Sequence, residues 1–127
     1  MNFEIISEKV TDWAKARQII PNSTPMAQAM KGMEEAAEWL QAASILYALK
    51  QIEELPLCDE ASESLKTKQE YWKNKFKDSI GDTLVCIVNS AALANVNVIE
   101  CFNIAYNEIK DRSGKMNEKG IFVKNDK

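Results

Sequence analysis

The chain contains no histidine among its 127 residues. This absence excludes a histidine general base, Ser-His and Cys-His nucleophilic pairs, and histidine metal ligands. Any metal ion would be held by oxygen atoms, which favours magnesium or manganese over zinc. The lack of histidine therefore narrows the chemistry open to this chain more than any single residue that is present.

Other features are scarce or missing as well. The net charge of −3 offers no broad basic face for nucleic acid. No apolar run approaches the roughly 20 residues that a membrane-crossing helix needs, and residues 1–10 lack the apolar core of a secretion signal. The three cysteines are far apart, which favours buried thiols at Cys86 and Cys101 over disulfides or zinc ligands. We therefore expect a cytoplasmic protein that binds neither nucleic acid nor membrane.

The length and the apolar pattern predict one all-α domain, residues 1–127. Helical spacing of apolar residues predicts helices over 3–19, 25–52, 60–94 and 98–111. Four helices imply a four-helix bundle, or a bundle that a second copy completes.

The helix boundaries carry local signals. Thr24 followed by Pro25 is a cap and a first helical residue, and Asp59 is a candidate cap for the third helix. Residues 113–127 are expected to form an extended tail, in which a strand at 121–123 can pair with 114–116 as a hairpin.

Two clusters of carboxylates stand in line with apolar residues on the second and third helices. Glu34, Glu35 and Glu38 project within one sector of about 100°. Asp78 and Asp82 lie about one turn apart. Because both sectors turn apolar further along, the carboxylates are predicted to face inward, and like charges brought together inside a protein need a cation.

A divalent ion is the ligand that this pattern predicts. Glu35 and Glu38 can point at one ion, and Glu34 can reach a second. The competing interpretation of each cluster is an ordinary charged helix face. Gly81 inside the third helix costs roughly 1 kcal/mol relative to alanine, and a close helix contact or a ligand against the backbone would explain this cost. Gly32 raises the same question, and simple packing explains either glycine equally well.

Several polar groups are candidates for further contacts. Asn89 stands on the same stripe as the two aspartates and is either a satisfied core amide or a ligand contact. Lys31 lies one turn before the glutamates and can simply pair with them. The basic residues after the fourth helix either complement its dipole or clamp phosphates; they are Lys110, Arg112 and Lys115.

Together these residues resemble the MazG-like family of all-α nucleoside triphosphate pyrophosphohydrolases, particularly its short, single-domain, phage-type members. The family's first motif, E-E-x-x-E, matches residues 34–38. Its second motif, E-x-x-D within E-E-L-G-D, resembles residues 78–82, which read D-S-I-G-D, and the family's following asparagine corresponds to Asn89. Further similar segments are 13–17, 105–112, 115–116 and 120–124, so that the resemblance covers most of the chain.

There are two departures from the family pattern. Ser79 stands where the second motif commonly has glutamate, so that Asp78 would supply this carboxylate from one position earlier. Residues 57–75 form an insertion between the two motifs. The first departure would change which residues are metal ligands. The second would change the rim of the site or the interface between copies.

The resemblance implies cleavage of a ribo- or deoxynucleoside triphosphate between its α- and β-phosphates, which yields a monophosphate and pyrophosphate. It implies that magnesium, or manganese in its place, is held by Glu34, Glu35, Glu38, Asp78 and Asp82. Four of these carboxylates, Glu34, Glu35, Glu38 and Asp82, would also serve catalysis. Glu34 is the first candidate for orienting or deprotonating the attacking water.

The resemblance also implies a substrate-binding set. The set is Lys31, Asn89, Lys110, Arg112, Lys115 and Trp13. The basic tail residues would hold the phosphates, the asparagine would bond the sugar or base, and the tryptophan would stack on the base. A homodimer or homotetramer is expected as well, because a four-helix chain with an exposed substrate-sized cleft often completes its site with a second copy. The main alternative is a catalytically inactive relative that acts as a helical dimerisation or interaction module. A ferritin-like di-iron bundle is disfavoured because it needs Glu-x-x-His pairs.

Overall fold

The computed structural model describes residues 1–125, and these are mostly α-helical. The elements are α1 (Phe3–Ala16), α2 (Ile19–Asn22), α3 (Pro25–Glu53), α4 (Asp59–Leu93), α5 (Val98–Ile109), β1 (Gly114–Met116) and β2 (Phe122–Lys124). The prediction of an all-α chain is confirmed, and the predicted second, third and fourth helices agree with α3, α4 and α5 to within two residues at each end. The last two residues of the predicted tail lie outside the described residues.

The two long helices α3 and α4 form an antiparallel hairpin. Near its turn, the Gln69 side-chain amide donates to Glu53 Oε2 over 2.8 Å. At its open end, Ser90 Oγ donates to the Pro25 carbonyl over 2.8 Å. Helix α1 packs beside α4. The buried apolar side chains lie where these helices meet and are Ala14, Ala42, Leu49, Leu65, Cys86 and Val88.

Short-range hydrogen bonds set where the long helices begin. As predicted, Thr24 caps α3, and its Oγ1 accepts from the Ala27 backbone N–H at 3.0 Å. The predicted cap of α4 was wrong by one position. Cys58 is the cap, and its Sγ accepts from the Ala61 backbone N–H at 3.5 Å. Asp59 is instead the first helical residue, where its negative charge complements the helix dipole.

The first helix ends earlier than predicted, at Ala16 and not at residue 19. Gln18 takes the left-handed backbone conformation, with φ 62°, which stops α1. Ile20 is extended because a residue that precedes proline is sterically kept out of the α region. The chain therefore turns through the short α2 before α3 begins.

The predicted break at 95–97 separates α4 from α5. Asn95 is left-handed, and Asn97 Oδ1 accepts from the first backbone N–H groups of α5. The two helices are bent by 107° at this break. No single helix of residues 1–125 has the length and apolar content needed to cross a bilayer. Only α4 and α5 counted together have that length and apolar content.

The tail forms the predicted hairpin. Strands β1 and β2 pair antiparallel, with Gly114 opposite Lys124 and Met116 opposite Phe122. Asn117 closes the turn, because its Oδ1 accepts from the backbone N–H groups of Lys119 and Ile121.

Much of the apolar surface that periodicity assigns to a core is exposed. The stripe of α3 faces outward at Met26, Met30, Met33, Ala37, Leu40 and Tyr47. The apolar residues of α5 from position 101 onward are exposed too, at Cys101, Phe102, Ile104, Ala105, Tyr106 and Ile109. The prediction of a buried thiol is therefore confirmed at Cys86 and wrong at Cys101, because α5 turns away from the hairpin and is covered by little of its own chain.

Candidate metal and substrate site

The hairpin brings the two carboxylate clusters to facing positions, and one member of them is buried. The Glu35 side chain is 12% exposed, whereas that of Glu34 is 64% exposed. Glu38, Asp78 and Asp82 are also exposed. The prediction that all five face inward is therefore wrong except for Glu35. Successive helical residues diverge by about 100°, so only one position of the first cluster points straight at α4.

In the structure, the cation that pairs with the first carboxylate cluster is the side chain of Lys31. Its Nζ lies 3.2 Å from Glu34 Oε1 and 3.2 Å from Glu35 Oε1. These two contacts raise the pKa of Lys31 above its ordinary value. The pairing that the spacing of these residues allowed is thus present in the structure.

The two clusters act on each other electrostatically. The charge of Glu35, together with a hydrogen bond to it, raises the pKa of Glu38. Loss of hydration raises the pKa of Asp82, and the charges of Asp78 and Glu35 raise it further. Lys31 opposes both shifts. The carboxylates of α3 and α4 are therefore close enough to affect one another electrostatically.

The donor set suits a hard divalent ion. It offers carboxylate oxygens only, which are the ligands that magnesium prefers. Repulsion from Glu35 is the largest cause of the raised pKa of Glu38, whereas loss of hydration is the largest cause for Asp82, ahead of the charges of Asp78 and Glu35. A bound cation would relieve such repulsion. Within residues 1–125, no group of three or more acidic or cysteine side chains is already arranged to hold a metal ion.

Ser79, the departure in the second motif, faces into the hairpin. It is 4% exposed, and its Oγ donates to the carbonyls of Lys75 and Phe76 at 2.8 and 3.1 Å. Its hydroxyl is therefore bound to its own helix. The neighbouring carboxylate, Asp78, lines the depressions on both sides of α4.

The first depression, the α3/α4 cleft, holds about 270 Å³ and is lined by Glu38 and Asp78 among others. Sequence reasoning missed the residues at its outer end. Tyr71 and Trp72 meet edge to face with ring centres 5.3 Å apart, and Lys75 Nζ lies 5.7 Å from the centre of the Tyr71 ring. Their helical spacing, one and two turns before Asp78, is the signal that could have found them.

The second depression, the α1/α4 groove, holds about 400 Å³ between α1 and α4. Asp78, Gly81 and Asp82 line it from α4. Its remaining lining is mostly apolar and includes Phe3, Ile6, Val10, Leu84, Val85 and Val88. The groove and the cleft have Asp78 in common.

Asn89 lies inside the hairpin. It is 2% exposed, and its Nδ2 donates to Gln28 Oε1 over 3.4 Å, while its Oδ1 has no hydrogen-bond partner. In this arrangement Asn89 links α3 to α4 and lines neither depression. Its contact with a substrate stays a prediction.

The remaining predicted substrate residues lie apart from the carboxylates in the single chain. The Trp13 ring lies 5.6 Å from the Arg17 guanidinium and does not line the α1/α4 groove. Lys110, Arg112 and Lys115 are exposed around the end of α5 and the start of β1, and they line neither depression.

The two helical glycines have different surroundings. A Cβ atom added at Gly32 would lie 3.3 Å from the Cβ of Cys86, so this glycine lets α3 approach α4 closely. A Cβ atom added at Gly81 would meet nothing within 4 Å. Packing therefore explains Gly32 and does not explain Gly81.

Comparisons of this chain with models of known protein families, with curated proteins and with solved structures found no match.

Proposed function

We propose that this chain is a magnesium-dependent nucleoside triphosphate pyrophosphohydrolase with a bundle-like fold of the MazG-like kind. The observation that carries the proposal is that the two motifs meet in the hairpin: Glu38 and Asp78 line one cleft between α3 and α4, and Glu35 is buried in the same hairpin. Carboxylates held together in this way bind divalent ions and, through them, polyphosphates. The two motifs resemble those of the family at these positions.

In this mechanism Glu35, Glu38 and Asp82 hold magnesium, and Asp78 supplies the carboxylate that Ser79 lacks. Bound magnesium neutralises the triphosphate and lowers the pKa of a coordinated water. The Glu34 side chain is 64% exposed, and its carboxylate contacts Lys31. It is therefore free to orient or deprotonate the attacking water once Lys31 moves.

Two lysines of the same chain stand next to the carboxylates. Lys31 pairs with Glu34 and Glu35, and Lys75 lines the α3/α4 cleft with Glu38 and Asp78. An ammonium group next to a metal site can stabilise the charge that develops on the phosphates.

A second copy of the chain is part of this proposal. The accessible surface is 9960 Å², whereas a compact 14.4 kDa monomer is expected to expose about 6,800 Å². The excess is several times the roughly 800 Å² that each partner buries in a standard interface. A homodimer or homotetramer would cover the outward faces of α3 and α5, and it offers a route by which Lys110, Arg112 and Lys115 reach the site of a partner.

The proposed compartment of the protein is the cytoplasm. A reducing compartment suits its three free thiols, Cys58, Cys86 and Cys101.

The decisive experiment measures pyrophosphate and monophosphate release from a panel of ribo- and deoxynucleoside triphosphates, with magnesium, manganese or chelator. We expect equal amounts of both products, only when metal is present. The same assay on Glu35→Gln tests the residue that couples the helices, and Glu63→Gln, an exposed carboxylate elsewhere on α4, is the matched control. Metal-independent release, or full activity of Glu35→Gln, would contradict the proposal.

An inactive relative that acts as an interaction module is the second candidate. The observation in its favour is that Ser79 replaces the motif glutamate with a hydroxyl bound to its own backbone, in a chain with a large uncovered apolar surface. It predicts a stable oligomer that releases no pyrophosphate from any member of the panel.

A further inference from the structure

Gly81 occupies a position where glycine weakens the helix and where no packing contact among residues 1–125 requires it. It lies well inside α4, where alanine would be more stable. Its φ is that of an ordinary helical residue, and a Cβ atom there would meet no atom of residues 1–125 within 4 Å. Gly32, in contrast, is needed for the contact with Cys86. Packing within the described chain therefore does not account for Gly81.

The surroundings of Gly81 combine a mostly apolar surface with two carboxylates and the side chain of Lys77. Gly81 lies between Asp78 and Asp82 along α4, and all three line the α1/α4 groove. The opposite wall is apolar at Phe3 and Ile6. The missing side chain thus leaves bare backbone in the groove beside the aspartates.

We propose that Gly81 admits the nucleoside part of the substrate against the backbone of α4. The base lies over the apolar lining of the α1/α4 groove, and the phosphates lead past Asp82 to the metal. This inference rests on the proposed function and goes beyond it, because it assigns the groove as the nucleoside subsite and Gly81 as the residue that keeps it open.

The charges of the groove favour a nucleotide over a helix of a second copy. An apolar helix packed there would strip water from Asp78 and Asp82 without offering them a partner, which is costly. A nucleoside triphosphate instead brings sugar hydroxyls that can donate to Asp78 and magnesium-bound phosphates that compensate Asp82.

The test uses Gly81→Ala and Gly81→Leu in the full chain. Because the added Cβ meets open space, Gly81→Ala is expected to raise the melting temperature by about 4 °C. The same methyl group intrudes on the nucleoside, so that KM for the preferred triphosphate rises roughly tenfold while kcat changes less. Gly81→Leu is expected to raise KM further. A variant that is more stable and binds its substrate more weakly separates a ligand subsite from a packing role.

Two controls accompany these variants. Ser64→Ala lies at an exposed position near the far end of α4; it should raise the melting temperature slightly and leave KM unchanged. Gly32→Ala should lower the melting temperature because its Cβ is crowded by Cys86. Light scattering gives the mass of each variant.

Three outcomes would overturn the inference. If Gly81→Ala is more stable and keeps its KM, no ligand occupies the space beside Gly81. If Gly81→Ala lowers the mass of the oligomer, a second copy occupies the groove. If the wild-type chain releases no pyrophosphate and binds no non-hydrolysable triphosphate analogue, the proposed function and this inference fail together. In the first two cases wild-type turnover persists, and only the inference fails.

Discussion

At the scale of single residues, Glu35 organises the site. It is the one buried carboxylate of the two clusters. Its charge raises the pKa of Glu38, and it adds to the loss of hydration and the charge of Asp78 that raise the pKa of Asp82. In the proposed metal site, a divalent ion would relieve this repulsion. Two predictions follow from this coupling at the level of individual side chains.

Glu38→Gln should separate activity from stability. Loss of one metal ligand is expected to reduce turnover by about 100-fold or more. The metal-free variant should nevertheless melt at a higher temperature at neutral pH, because the amide removes a charge that Glu35 repels. Turnover and thermal melts with chelator measure both effects, with Glu63→Gln as the control. Near-normal turnover would remove Glu38 from the metal site.

In the chain without metal, the contribution of Glu38 and Asp82 to the free energy of unfolding should fall as pH rises. The raised pKa values of Glu38 and Asp82 mean that the folded chain keeps protons that the unfolded chain, with ordinary values of 4.5 and 3.8, has lost. The contribution of these two groups to the free energy of unfolding is therefore full below those ordinary values and falls as pH rises through the raised ones.

Urea denaturation between pH 4 and 8 with chelator checks this direction. The difference in slope between the wild type and Glu38→Gln isolates the Glu38 part, since other carboxylates such as Glu53, whose pKa is lowered, cancel in the comparison. Saturating magnesium should flatten the wild-type curve. An identical pH profile for both chains would refute the coupling.

At the scale of elements, local signals set where the helices begin. The hydroxyl of Thr24 accepts from a backbone N–H at the start of α3, the helix that carries the three glutamates. Thr24→Ala is expected to reduce the free energy of unfolding by about 1 kcal/mol. Thr67→Ala is the matched control, because Thr67 is exposed in mid-helix and its hydroxyl donates to Glu63 of the preceding turn.

Denaturant unfolding of these two variants gives both values. Thr67→Ala should be neutral or slightly stabilising, since alanine is the better helix former. Equal losses in both variants would show that the cap does not anchor α3.

The same locality explains which elements the sequence predicts well. Prolines, caps and asparagine breaks act within a few residues, so α3, α4 and α5 were predicted closely, and the Cys58/Asp59 error is one between neighbours that can both accept a hydrogen bond. The face of α3 that meets α4 carries small residues such as Gly32 and Ala42 and not the large methionine stripe, because small side chains let two helices approach closely.

The candidate site, like the fold, was predictable where it depends on local spacing and not where it depends on packing. The motif positions follow from spacing along one helix, so the carboxylates could be proposed from the sequence. The two depressions depend on how α1 and α3 pack on α4, which periodicity does not specify. For this reason Tyr71, Lys75 and the groove beside Gly81 became visible only in the structure.

At the scale of the whole molecule, the chain exposes about 3,000 Å² more than a compact monomer of its mass. In a single copy, the outward stripe of α3 and most of α5 remain exposed to water. The burial of these apolar side chains therefore does not contribute to the stability of one copy. In the proposed assembly, association with further copies would recover this contribution.

We expect a mass of at least two chains in solution and a melting temperature that rises with protein concentration. Ile109→Glu places a charge on the exposed apolar face of α5 and should lower the mass. Asn103→Glu adds the same charge at an exposed polar position of α5 and should not. Light scattering and melts over a hundredfold concentration range measure these effects. A wild-type chain that remains monomeric would contradict the proposed assembly.

Lys31 gives the resting site a counter-ion of its own. Its ammonium lies 3.2 Å from both Glu34 and Glu35, so the glutamates are compensated before any metal arrives. If the proposed metal site is right, a divalent ion at Glu35 would repel this ammonium, and metal binding would exchange one cation for another. The displaced Lys31 would then lie beside the metal, where it could pair with a phosphate of the substrate.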